Sequence, residues 1–291
     1  MSVTDLSARA ILTRAGSAPR TFARNDLRTS SVLERFVGRL TRAMSDAGYS
    51  QLDRAGPGTN VVLHSIDADS PRPYRRKAAP TFVIAIAELA ELPDDRVELL
   101  RIGYPLLVRA LANLCVMVSD SAEGLVVRFV TLEQGVYGVG PGFADDELSR
   151  LAFGRIEPLA ASELVIANEF VTDLPEHLWQ GDDETAQMSR AGRALDALDL
   201  VPAPFPIEEI LDKRELRHVQ LLYGIGGLSY GNVSARYLGD LHGAPDPTGP
   251  VYWMSASGVD KTDLRLIGEH ILLVRGFDPE RETMVLSVPP N

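Results

Sequence analysis

Two apolar runs limit what this chain can fold into more than any other feature. Residues 60–66, Asn-Val-Val-Leu-His-Ser-Ile, and residues 81–87, Thr-Phe-Val-Ile-Ala-Ile-Ala, read as buried strands. Residues 67–80 between them form a loop marked by Ser70-Pro71 and Arg72-Pro73. A helix precedes them: Val32, Leu33, Phe36, Val37, Leu40 and Met44 recur at helical spacing behind Ser30 and Ser31 as caps, and Gly48 ends the run. After Pro93-Asp94-Asp95, residues 96–118 continue as a long apolar helical pattern, broken or kinked near Gly103-Tyr104-Pro105. Strands are expected over 125–132 and 136–139, and helices over 145–153, 158–170 and 182–200. This alternation implies an α/β or α+β domain in residues 21–175 with a parallel or mixed sheet.

With 291 residues, 45% of them hydrophobic, the chain can bury one large core or two ordinary ones. The acidic Gly181-Asp182-Asp183-Glu184 and the proline-rich Val201-Pro202-Ala203-Pro204-Phe205-Pro206 bracket a connecting region. This divides the chain into an arm over 1–20, an N-terminal α/β domain over 21–200 and a second domain over 201–291. A net charge of -11 excludes a general nucleic-acid or anionic-membrane surface role, which needs basic patches. One cysteine, Cys115 in an apolar setting, rules out an internal disulfide. With no secretory h-region and no apolar span, a cytoplasmic location is expected.

Chemistry is named only in residues 227–274. Two small-residue turns, Gly231-Asn232-Val233-Ser234 and Ser255-Ala256-Ser257-Gly258, each lie beside a short apolar run that reads as a strand. Such turns expose backbone N–H groups and hydroxyls to an anion. The order and content of these segments, over roughly residues 206–288, resemble the opening half of the class II aldolase/adducin family. Gly231, Asn232, Val233, Ser234 and Arg236 fit its first turn motif, Ser257, Gly258 and Val259 the second, and residues 271–274 the strand that follows. The fold class expected is therefore α/β, an N-terminal mixed α/β domain followed by a partial class II aldolase-like αβα domain. Ile207 to Tyr223 reads as the entry helix of that second part.

The resemblance implies a metal-dependent lyase or epimerase acting on a small phosphorylated sugar or hydroxy-carbonyl substrate. Gly231, Asn232, Ser257 and Gly258 would hold the substrate's phosphate or carboxylate. Family enzymes carry a divalent metal, usually zinc, on a His-x-His pair and a third His, with an acidic residue as acid/base. His64, His177, His218, His242 and His270 include no such pair, so this chain has no residues matching the metal or acid/base positions. It reads as an incomplete domain, a fragment of a longer protein, and one expected to bind no zinc. An unfinished sheet should leave an apolar face or edge near residues 251–254 and 271–274, so a homo-oligomer is expected, with residues 21–200 soluble alone. Two alternatives stay open: a non-catalytic, adducin-like interaction protein, and an activity residing in the N-terminal domain.

That last alternative rests on Asp67-Ala68-Asp69 at a strand's C-terminal edge, where open α/β sheets bind ligands, with Arg72, Arg75, Arg76 and Lys77 next to them. The plainer readings are a solvated turn and a surface loop. His64, His218 and His270 read as strand or helix residues lacking a partner at catalytic spacing.

Overall fold

The computed structural model describes residues 20–77, 81–132, 135–161, 167–172, 174–198, 207–223, 232–241, 250–256, 259–278, 281 and 283–290. Two sheets carry the chain. The first holds β1 (Thr21–Asp26), β2 (Ser50–Leu52), β3 (Val61–Ile66), β4 (Phe82–Glu88), β5 (Leu114–Ser121), β6 (Gly124–Thr131) and β7 (Gly135–Val139), in the order β2-β1-β3-β4-β5-β6-β7. The five strands β2, β1, β3, β4 and β5 run parallel, and β6 and β7 add antiparallel hairpins at one edge. Every residue of β3 is buried, as a central parallel strand covered on both faces requires.

Helix α1 (Ser31–Asp46) covers one face, capped by Ser30, whose side chain accepts from the Leu33 N–H at 3.0 Å. Its buried Leu33, Phe36, Val37, Leu40 and Met44 pack on Phe22, Leu63 and Ile84 of the sheet. Helix α3 (Asp145–Ala160) lies beside it and adds Leu148, Ala152 and Ile156 to the same layer. Helix α2 (Arg96–Ala110) covers the other face through Leu99, Leu100, Tyr104 and Leu107.

The second sheet holds β8 (Ala167–Val171), β9 (Ser234–Arg236), β10 (Tyr252–Ser255), β11 (Ile271–Asp278) and β12 (Thr283–Ser287), in the order β8-β12-β11-β10-β9. Only the β8–β12 pair is parallel. Helix α4 (Asp183–Ala197) and the 3-10 turn Glu176–Gln180 close one face over Trp253, Ile271 and Leu273. A fifth helix, α5 (Lys213–Tyr223), follows the short turn Ile207–Glu209. Among the described residues no helix is long and apolar enough to cross a membrane.

Mixed α/β layering with parallel and antiparallel strands agrees with the expected class. Three local readings are corrected. The helix expected over 96–118 stops at Ala110, where Leu111 turns left-handed with φ 56°, and residues 114–121 are β5. Asn113 makes the change possible, since its Oδ1 accepts from the Val83 N–H at 2.8 Å and registers the chain against β4. The helix expected over 158–170 ends at Ala160, and residues 167–171 form a strand held by β12, which is distant in sequence. Residues 207–219 follow residue 201 yet pack on the first sheet: Ile207, Leu211 and Val219 join Leu107 and Val130 in the α2 layer. Glu209 and Glu215 pair there with Arg101 and Arg109 of α2. Because β8 lies before residue 201 but belongs to the second sheet, and residues 207–219 return to the first, the chain crosses between layers three times.

Candidate functional site

The strands β9 and β10 are antiparallel, with Ser234 opposite Met254 and Arg236 opposite Tyr252. That register brings the residues just before β9 against the residues that end β10. The Ser255 N–H donates to the Val233 carbonyl at 2.9 Å, and the Val233 N–H donates back to Ser255 Oγ at 3.0 Å. The Ser255 hydroxyl in turn donates to Asn232 Oδ1 at 3.3 Å. Ser255 is fully buried and Asn232 is exposed, so the pair links the sheet interior to the surface. With its oxygen taken, the Asn232 carboxamide keeps its NH2 group as a donor.

Of the four residues expected to bind an anion, Asn232 lies at this corner, while Gly231, Ser257 and Gly258 lie outside the described residues. Their described neighbours bracket the same place. Ala256 donates its N–H to the His270 carbonyl at 2.9 Å, which ties the start of the second turn to β11. His270 Nδ1 lies 2.7 Å from the Asp263 carbonyl and donates to it. Beneath the corner Trp253 is fully buried. Its Nε1–H donates to Asp182 Oδ2 at 2.8 Å, and Tyr237 and Trp179 meet it edge-on at 5.9 and 6.2 Å.

Lys261 went unnoticed in the sequence. It opens the 3-10 turn Lys261–Asp263, which Asp260 caps by accepting from the Thr262 N–H at 2.8 Å. Lys261 is only 1% exposed, and its Nζ donates to the Val259 carbonyl at 2.8 Å. Burial pulls the amine down to about 8, against a smaller opposing effect of Asp260. Helix α4 seals it in: Gly192 sits so close that a Cβ there would overlap the Lys261 carbonyl, and Ser189 Oγ donates to the Leu264 carbonyl. A lysine two residues beyond a Gly-Val step was legible in the sequence. Its burial was not, because that depends on α4.

The resemblance implies zinc. Among the described residues no group of three His, Cys, Asp or Glu side chains converges in a way that could hold a metal ion. His64 is engaged at both nitrogens, by Asn25 Nδ2 at 2.9 Å and by the Arg72 carbonyl at 2.8 Å.

The N-terminal alternative also has a geometry. Strand order reverses between β1 and β3, which makes their C-terminal ends the switch point of the parallel sheet. The charged groups there satisfy one another. Arg24 pairs with Asp26 and Glu34, Ser65 Oγ donates to Asp26, and Asp67 accepts from the Asp69 N–H while Arg28 lies 4.0 Å away. Of the basic cluster, Arg76 does not lie next to Asp67. Arg76 is fastened to the Thr81 carbonyl and Asn113 at the opposite, N-terminal end of β4, a strand length of about 20 Å away.

Comparison with family models, with curated proteins and with solved structures finds no match to this chain.

Proposed function

We propose that the β9–β10 corner binds the phosphate or carboxylate of a small hydroxy-carbonyl compound, in the manner of class II aldolase/adducin proteins. On this reading residues 201–291 carry part of an aldolase-like αβα unit, with Gly231, Asn232, Ser257 and Gly258 as the cradle. The observation that carries it is the hydrogen-bonded meeting of Asn232 with Ser255 where the two motif turns begin and end. Glycine turns let backbone N–H groups approach an anion, and an amide NH2 beside them adds a neutral donor that survives changes of pH. The fully buried Trp253 layer beneath holds that geometry rigid.

Glycolaldehyde phosphate is a suitable probe, since it joins both functional groups in a two-carbon skeleton. Calorimetric titration of the wild-type chain should give saturable binding. Asn232→Ala should weaken it about 10–100-fold, the worth of one hydrogen bond to a charged group. Equal affinity in the two proteins, or no binding to either, would sink the proposal.

A further inference from the structure

We propose that the groove over Gly38 of α1 binds a short zwitterionic peptide, its carboxylate on Arg42 and its ammonium on Glu34. The groove belongs to the helical layer of the first sheet and shares no residue with the β9–β10 corner, so the proposal stands apart from the reading of that corner.

The groove has a volume of about 330 Å³ and is lined by Glu34, Arg35, Gly38, Arg39 and Arg42 of α1 and by Asp146 of α3. Its floor is a missing side chain, since nothing stands within 4 Å of where a Cβ on Gly38 would be. Glu34 and Arg42 lie one helical turn before and after that glycine, on the same face, with their Cα atoms about 12 Å apart along the axis. That is beyond the spacing of three or four residues at which helical side chains pair directly.

Arg35 and Arg39 form fixed walls. Arg35 donates to both oxygens of Asp120, at 2.6 and 3.2 Å, and Asp145 lies 3.4 Å from its Nε and 3.2 Å from Arg39 Nη2. Arg39 Nε donates to Asp146 at 3.0 Å, and its Nη1 donates to the Arg35 carbonyl. These carboxylates come from β5 and from the first turn of α3, so two further elements hold the guanidinium groups in place. Polar groups held before a ligand arrives lose less entropy on binding it.

The two ends differ in charge. Arg42 is exposed and, among the described residues, has no hydrogen-bond or ion-pair partner. Its whole fork of donors is open to a carboxylate. At the other end Glu34 Oε1 accepts from Arg24 at 2.6 Å, Oε2 has no partner among the described residues, and Arg24 is shared with Asp26 at 2.9 Å. Arg42 apart, carboxylates outnumber guanidinium groups in this network. A plain anion would meet Glu34 and Asp146, and a plain cation would meet the arginines. A molecule that carries both charges at its two ends is attracted at each. Extended chain spans at most about 3.3–3.6 Å per residue, so two or three residues set the terminal charges about 7–10 Å apart. That suits the axial separation, because the Arg42 side chain leans back along the helix toward Gly38.

The test is calorimetric titration of the full chain at pH 7 and low salt with glycine, diglycine, triglycine and tetraglycine. Binding should be saturable and tightest for two or three residues. N-acetyl-triglycine, which lacks the ammonium, and triglycine amide, which lacks the carboxylate, should each bind at least about tenfold more weakly than triglycine. Arg42→Gln removes the carboxylate's partner, and Gly38→Leu fills the groove with every charge in place; each should weaken triglycine at least about tenfold. Equal affinity for either blocked peptide, wild-type affinity in either variant, affinity that does not vary with length, or no saturable binding overturns the proposal. If Gly38→Leu fails to fold, the blocked peptides and Arg42→Gln decide.

Discussion

Burying an amine without a counter-ion weakens the fold that holds it, and Lys261 makes that measurable. Its pKa in the folded chain, about 8, lies below its ordinary value of 10.5. The unfolded chain therefore binds the extra proton more tightly, the penalty is fully present below about pH 8, and it is relieved as pH rises toward 10.5. Lys261→Met should accordingly be more stable than wild type at pH 7 by about 1–2 kcal/mol, net of the hydrogen bond lost at Val259. The gap should narrow by pH 10, which urea denaturation at both pH values would reveal. Cys115 is a second buried group with a clear outcome. It is fully buried in β5, and burial pushes its thiol up to about 12. Alkylating reagents should leave it untouched in the native chain at pH 8 and modify it fully in denaturant, as mass spectrometry would record; rapid native labelling would contradict its placement.

At the scale of elements, packing gives similar residues opposite effects. Gly38 in α1 has nothing within 4 Å of where a Cβ would stand, whereas a Cβ on Gly103 in α2 would come within 2.6 Å of Val130 Cγ2. Gly38→Ala should therefore stabilise the chain by about 0.5–1 kcal/mol. Gly103→Ala should destabilise it by about 1–3 kcal/mol through overpacking. Chemical denaturation of the two variants checks both signs. Elements whose hydrophobic period points at one partner were legible in the sequence: α1 has a single apolar face and a Ser30 cap, and β3 and β4 are continuous apolar runs. Residues 106–118 were not, because a stretch apolar on every side carries no period to separate the end of α2 from β5. Residues 167–171 were missed for a different reason. Their strand is held by β12, and no local pattern announces a pairing made so far along the chain. The turn at Asn232 was legible from the residues, while the burial of Lys261 required knowing where α4 would land.

For the whole molecule, the repeated crossing between layers bears on where the chain can be cut. Residues 207–219 complete the apolar layer over α2, so a chain ending at residue 200 leaves that layer open and β8 without β12. It should self-associate in light scattering, the reverse of what a clean boundary near residue 201 implies; a monodisperse, cooperatively unfolding product would show that the layer closes without them. Both tryptophans, Trp179 and Trp253, lie in the second sheet's layer, so their fluorescence follows that sheet alone, whereas circular dichroism follows both. The pairing of β8 with β12 has one more consequence, in the order of synthesis. About 110 residues separate these strands, which a ribosome adds in on the order of ten seconds at ~5–20 residues per second. Through that interval the first sheet can close behind the advancing chain, while β8 waits beside it with an open edge, and a chaperone that holds single strands would find its target there.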